Sequence, residues 1–368
     1  MANLRIGICG WGNVATGLYE QLVSGDSVYS ELELCCIGAR RDNPRCNPAS
    51  TKIIRDIFAV VEEDIDVLVE LIGGVDIARE LILSALKSGK HVVTANKAVI
   101  FEHGEELIEA AKNNNVRLLF ESAVCAGTPT IKILSNDLGA NKISKVAGML
   151  NGTTNFILSN MEEGARYEDV LQEAKDKGFA EPDPSLDVNG TDAAHKIGIL
   201  AALLFNSGLP ANNFYIEGIE KISPQDFNHA DEFNFTIKHL AVTQIQKNGI
   251  ELRSHPVMLE KESSLAGLKG VRNGIQFDTD LLGEFHVAGS GAGRESTASG
   301  LISDLIALLK NNDSEPMKYP NFSNKPSIIN FDELKFKYYV YLEVKNESGV
   351  LALISKIFAE HKISFDKI

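Results

Sequence analysis

A short apolar stretch, Leu4 to Cys9, runs directly into Gly10-Trp-Gly12-Asn13-Val14-Ala15, and a helical pattern follows to about Val23. A strand that turns into a helix through two glycines and a small residue at this spacing has few ways to fold. The first glycine permits a tight turn. The second lets a pyrophosphate approach the backbone, and the third position must be small for the helix to pack on the strand. The amides of the first helical turn, Asn13 and Val14 among them, then face the phosphates.

The pattern that follows places this turn in a larger frame. A second strand, Leu32 to Gly38, ends in Ala39-Arg40-Arg41. An NAD-selective site would usually carry an acid there for the ribose hydroxyls, whereas Arg40 and Arg41 point to the 2′-phosphate of NADP. Strand Asp66 to Ile72 ends in Gly73-Gly74. Helix Asp76 to Lys87, strand His91 to Thr94, helix Ile100 to Lys112 and strand Val116 to Phe120 complete the alternation. Alternating elements of these lengths predict an α/β chain whose residues 1–135 form a Rossmann-type doubly wound parallel sheet. Lys97 lies just past the carboxyl end of a strand, where such sheets bind ligands.

The run Asp192 to Phe205 (D-A-A-H-K-I-G-I-L-A-A-L-L-F) puts a lysine inside an almost wholly apolar helix. A helix apolar nearly all round is buried, and a buried ammonium is costly unless it is paired or loses its proton. Asp192 lies one turn before Lys196 and supplies the pairing. Desolvation and the carboxylate push the lysine in opposite directions, which is one way to make a general acid or base. A structural ion pair is the plainer alternative. The preceding loop, Gly178 to Gly190, favours chemistry: Glu181, Asp183 and Asp187 lie in a segment stiffened by Pro182 and Pro184, which restrict the backbone. Rigid carboxylates beside a buried lysine suit a substrate with a cationic amine and a reactive carbonyl. Asn189 is the expected N-cap of the lysine helix, with Asp192 at its third position.

A net charge of −14 argues against a general nucleic-acid surface, and no apolar run reaches the ~20 residues of a membrane span. The N-terminus enters a strand with no signal-peptide pattern. Five cysteines, odd in number and without metal-knuckle spacing, predict reduced thiols in a cytoplasmic protein. Residues 136–290 change character. A helix is expected over Pro129 to Asp137, then a strand over Lys142 to Leu150, then Asn151-Gly152-Thr153-Thr154 opening a helix. Strand-like runs follow at 235–246, 249–257 and 274–279, so an α+β domain with a mixed or antiparallel sheet should carry the lysine helix. Gly289 to Gly293 (G-S-G-A-G) opens a helix within 291–311 that returns to the first domain. Residues 312–336 read as a linker. Residues 337–368 read as a partial unit: strand Tyr338 to Val344, a helix to about Glu360, and a second strand from Ile363.

Together G-W-G-N-V-A, V-E-L-I-G-G, T-A-N-K-A, E-S-A-V-C-A-G-T-P, M-L-N-G-T-T-N and G-F-A-E-P-D-P-S-L-D-V-N-G-T-D-A-A-H-K resemble homoserine dehydrogenase over residues 4 to about 310. The resemblance implies reversible reduction of L-aspartate 4-semialdehyde to L-homoserine, in threonine and methionine biosynthesis, with NADPH preferred and NADH as the alternative. It implies Lys196 as general acid or base, Lys97 assisting beside the nicotinamide, and Asp192 orienting Lys196. Glu181 and Asp187 would hold the substrate amine, and Asn151, Gly152 and Thr153 would line its pocket. Cofactor contacts would fall at Gly10, Gly12, Asn13, Val14, Arg40, Arg41, Ile72, Gly73, Thr94, Lys97, Ser122 and Gly293. Glu121, with carbonyls of Val124, Ala126 and Thr128, matches a site for a monovalent cation, Na+ or K+. A homodimer through the second domain's sheet is implied, and the segment after 337 resembles the start of an ACT domain, with threonine as effector. Ala15 replaces a third glycine, and Phe179 stands where relatives often have tyrosine, so one pocket hydroxyl is absent. The competing readings are another NAD(P)-dependent amino-acid oxidoreductase and a catalytically silent threonine-sensing homologue. The first leaves the rigid acidic loop unexplained, and the second leaves Lys97, Glu181, Asp192 and Lys196 without a reason to be kept together. A third reading, one domain of a fusion with an aspartate kinase, is disfavoured as an expectation by Met1 standing directly before the first strand.

Overall fold

The structure is a computed structural model that describes residues 3–26, 29–209, 214–310 and 319–368. The first half contains β1 (Leu4–Cys9), α1 (Asn13–Leu22), β2 (Leu32–Gly38), β3 (Lys52–Ile54), β4 (Val67–Glu70), α2 (Asp76–Lys87), β5 (His91–Thr94), α3 (Lys97–Asn113) and β6 (Leu118–Leu119). Its six strands are all parallel, in the order β3-β2-β1-β4-β5-β6. This is the doubly wound order, with the chain reversing direction across the sheet beside β1. Every residue of β4 is buried, because helices cover both faces of a parallel sheet and leave no polar side.

The second half contains α4 (Ser122–Cys125), β7 (Ile143–Met149), α5 (Gly152–Glu162), α6 (Tyr167–Asp176), α7 (Ser185–Val188), α8 (Thr191–Leu204), β8 (Tyr215–Ile216), α9 (Pro224–Glu232), β9 (Phe235–Gln246), β10 (Gly249–Glu260), β11 (Arg272–Thr279), β12 (Gly283–Ser290), α10 (Arg294–Leu309) and α11 (Val350–Glu360). A second sheet runs β12-β11-β7-β9-β10-β8, antiparallel except for β8 on β10. Helices α5 and α8 lie against it. Among the described residues no helix is long and apolar enough to cross a membrane.

Helix α10 leaves the second sheet and packs on α1 and α4. The approach is close enough that a Cβ at Gly17 would meet the Arg294 side chain at 2.6 Å, and one at Gly300 would overlap the Ser122 hydroxyl and the Ala126 carbonyl. Arg294 also forms an ion pair with Glu20 of α1.

Several expectations need correction. The Pro129–Asp137 helix is present over residues 131–137 but starts two residues late and widens to a π-turn over Ile133–Asp137, closed by the Leu138 amide on the Ile133 carbonyl at 3.0 Å. Helix α8 is not capped by Asn189. Gly190 stands at the N-cap with φ 86°, a conformation costly for asparagine's larger side chain, and Asn189 instead accepts the Thr191 amide at 2.9 Å. Asp192 is therefore the second helical residue. Strand β12 and helices α6 and α9 were not foreseen; α9 begins with a Ser223–Asp226 capping box. Residues 338–344 form no strand, and neither does Ile363 onward. An extended segment becomes a strand only when a neighbour completes its ladder, and here the segment leans on side chains instead. Phe331 stacks on Tyr215 (3.8 Å between rings), Phe336 stacks on Phe331, and the Tyr339 hydroxyl lies 2.7 Å from His229 Nδ1. The expected linker falls partly at 312–318, outside the described residues.

Candidate active site

The first sheet presents a cleft of about 600 Å³ at the carboxyl ends of its strands, bounded by the turn after β1, Arg40 and Arg41 after β2, and Ile72-Gly73 after β4. Gly10 takes φ 112°, and a Cβ there would collide with the Leu71 carbonyl, so the protein itself requires glycine. Gly12 differs: a Cβ there would meet nothing of the protein within 4 Å, and the same holds at Gly73 and Gly293. Gly12 and Gly73 both line the cleft, so the space left free at them belongs to it. The first turn of α1 has no side-chain cap and no acid, so the amides near Asn13 and Val14 are open to an anion. On the same rim Arg55 engages Asp42 at 2.7 Å. Among the described residues Arg40 and Arg41 have no ion-pair partner and are exposed. These features fit a dinucleotide.

Two residues expected at the cofactor have other occupations. The Thr94 hydroxyl donates to Glu70 at 2.6 Å and accepts the Asn96 amide, and the Ser122 hydroxyl donates to the Thr297 carbonyl at 3.0 Å. Glu70 itself was missed. Wholly buried at the end of β4, it accepts the Ile72 amide at 2.8 Å and so fixes the loop forming the cleft wall. Burial raises its pKa, while Thr94 and the Ile72 amide oppose the rise. A single acid closing an otherwise apolar strand was the signal available for it.

Lys97 opens α3, and Asn96 before it caps the helix through the Val99 amide and donates to the Gly74 carbonyl at 2.7 Å. The lysine is thereby tied to the cleft rim. Its ammonium lies 3.1 Å from Asp192 Oδ1, while Lys196 Nζ lies 2.7 Å from Asp192 Oδ2. One buried carboxylate on α8 thus joins two lysines, one from each half of the molecule. Asn151 Nδ2 donates to the same Oδ2 at 2.9 Å and to Asp187 Oδ1 at 2.7 Å. Lys196 also donates to the Leu150 carbonyl at 2.7 Å. Burial alone would raise the pKa of Asp192, but Lys196 and then Lys97 hold it well below the usual carboxylate range. Lys97 is shifted up, chiefly by Asp192. Asp187 is shifted up by burial, against the pull of the Asn151 amide.

Glu181 is exposed on the rim, and its charge acts on Lys97. Asp183 instead accepts the Ser185 amide at the start of α7. Gly152 begins α5 where a Cβ would press on the Val271 carbonyl at 2.8 Å, and the buried Thr153 donates to the Phe179 carbonyl at 2.7 Å. The Glu121 carboxylate is tied to the following turn: Oε1 accepts the amides of Thr130 (2.6 Å) and Ile131 (2.9 Å), and Oε2 accepts the Lys132 amide (2.9 Å), which leaves one Oε2 lone pair unused. Carbonyls of Val124, Ala126 and Thr128 share the same loop, and Ala126 takes φ 51° there. The Thr128 carbonyl also accepts the Thr130 hydroxyl at 3.1 Å.

Comparison with known proteins matches this arrangement to one family. The family model described as "Homoserine dehydrogenase, NAD binding domain" matches residues 10–121, and the model "Homoserine dehydrogenase" matches residues 129–306. The chain belongs to the homoserine dehydrogenase family. A homoserine dehydrogenase of Pseudomonas aeruginosa is 40% identical, covering 100% of this chain and 88% of the relative. One from Neisseria gonorrhoeae is 36% identical with the same coverage. The crystal structure of a homoserine dehydrogenase from Thiobacillus denitrificans superposes with a TM-score of 0.89 at 34% identity, covering 100% of this chain and 88% of that one. A hyperthermophilic archaeal homoserine dehydrogenase, solved in complex with NADPH, superposes with a TM-score of 0.71 at 30% identity, covering 84% and 99%. Like its homoserine dehydrogenase relatives, the chain is an oxidoreductase with a nicotinamide-cofactor domain and a second, mixed-sheet domain that carries the lysine helix.

Proposed function

We propose that the chain reduces L-aspartate 4-semialdehyde to L-homoserine, reversibly, with NADPH preferred over NADH, in threonine and methionine biosynthesis. The observation that carries this reading is the Asp192 carboxylate gripping Lys196 and Lys97 beside the dinucleotide cleft. The nicotinamide, when bound, supplies a hydride to the aldehyde carbon. Lys196 spends two of its N–H bonds on Asp192 and Leu150, which leaves one for the aldehyde oxygen. That N–H passes its proton to the oxygen as the carbonyl becomes an alcohol, and the lysine is left as an amine. In the reverse direction the amine takes the proton back. Lys97 adds positive charge beside the developing oxyanion, while Asp192 fixes both lysines. Glu181 and Asp187 accept the substrate ammonium, and Asn151, Gly152 and Thr153 line its pocket. Orienting the amine brings the carbonyl carbon toward the hydride.

The test is NADPH oxidation with L-aspartate 4-semialdehyde. Lys196→Ala should lower kcat by about 10³-fold with NADPH affinity little changed. Near-normal turnover in that variant would remove Lys196 as the acid–base group.

The same reading assigns a Na+ or K+ ion to Glu121 with the carbonyls of Val124, Ala126 and Thr128, to be checked by replacing both ions with choline. It assigns a homodimer through the second sheet, checked by light scattering, and threonine as effector of the C-terminal segment, checked by inhibition. A cytoplasmic location suits the five unpaired cysteines.

A further inference from the structure

We infer that Asn273 positions Lys196 by fixing the carbonyl from which that ammonium hangs. Asn273 lies on β11 and is wholly buried. Its Nδ2 donates to the Leu150 carbonyl at 3.0 Å, the same oxygen that accepts Lys196 Nζ at 2.7 Å. A carbonyl oxygen has two lone pairs, and both are now used. Leu150 lies one residue past the end of β7, where the ladder no longer holds its peptide. The Asn273 amide takes over that task. With the Leu150 oxygen fixed on one side and Asp192 on the other, the direction of the third Lys196 N–H is set.

Two further observations say that this amide is there for the site and not for packing. Its Oδ1 is buried with no hydrogen-bond partner among the described residues. An unpaired buried acceptor is destabilising, and an apolar residue of the same shape would avoid it. The side chain is also locked in place: a Cβ at Gly291 would overlap the Asn273 amide, so the backbone of the loop leading to α10 presses directly against it. The remaining Nδ2 hydrogen is directed toward Cys125 Sγ at 3.9 Å. Asn273 thus lies where β7, the α4 segment and the loop before α10 meet, one carbonyl away from the acid–base lysine.

This assignment rests on the reaction proposed above, and its test separates the two. Asn273→Leu keeps the size and removes the donor; Asn273→Asp keeps the shape and replaces the donor by an acceptor. In folded enzyme each should lower kcat by about 10- to 100-fold, with KM for the semialdehyde and NADPH affinity within about twofold of wild type. The solvent deuterium isotope effect on kcat should rise, because proton delivery becomes more rate-limiting; a merely structural role would not move it. A variant with kcat within about twofold of wild type would overturn the assignment. So would a loss that follows the folded fraction at unchanged isotope effect, or failure of both variants to fold. An inactive wild type would instead bring down the proposed reaction itself.

Discussion

At the scale of single residues the site is a set of carboxylates with different tasks. Asp192, held ionised by two lysines, stabilises the fold above about pH 4, and that contribution is lost as pH falls further. Asp187 has the opposite sign. Its pKa is raised by burial, so the native state carries its charge at a cost once pH exceeds the ordinary carboxylate range. Asp187→Asn should therefore raise the melting temperature at pH 7 by a few degrees, with the gain vanishing toward pH 4, while KM for homoserine rises. Melting temperatures equal at both pH values would contradict this. Arg40, exposed and without an ion-pair partner among the described residues, makes a separate prediction: Arg40→Ala should weaken NADPH by about tenfold and leave NADH unchanged, as measured by fluorescence titration. Equal weakening would exclude contact with a 2′-phosphate. Lys196 and Asp192 were legible because a charged pair four residues apart interrupts an apolar helix. Asn273 and Glu70 were not, since one buried polar residue on a strand looks like any interior position until its distant partners are known.

At the scale of elements, the turn between β1 and α1 separates two uses of glycine. Gly10 is required by the fold, whereas Gly12 leaves room for something that is not protein. Gly10→Ala should destabilise the domain by about 1–3 kcal/mol. Gly12→Ala should leave stability nearly unchanged and weaken NADPH strongly, and denaturant titration beside cofactor titration would distinguish them. If Gly12→Ala unfolds the domain as Gly10→Ala does, the distinction fails. The strand–turn–helix signal was legible because its constraint is local. The N-cap of α8 lies one residue beyond the position the sequence predicts, because Asn189 and Gly190 are both good terminators and only the left-handed backbone at Gly190 decides between them. The expected strand at 338–344 failed for a different reason: alternation marks a segment able to pair, not a neighbour to pair with.

At the scale of the whole molecule, α10 closes the structure. It carries the buried Asp304, which accepts the Glu121 amide at 3.0 Å and pairs with Lys132 at 2.8 Å, joining the chain after β6 to a helix about 180 residues later. Gly300 lets it seat against the Ala126 carbonyl, which cannot yield as a flexible side chain would. Gly300→Ala should cost about 1–3 kcal/mol and loosen the cofactor; an unchanged urea midpoint would show that the helix is not seated there. The alternation of the first half revealed the parallel sheet, and Gly289 to Gly293 marked a helix returning to it, but no local pattern shows that this helix seats at Gly17. This arrangement bears on how the chain is made. A ribosome that has delivered the first sheet's six strands has not yet delivered the helix that covers β1's neighbour α1. The nascent cofactor domain must wait, with that flank bare, until the second sheet has been synthesised. Translation speed through residues 136–290 therefore sets how long a chaperone would have something to hold.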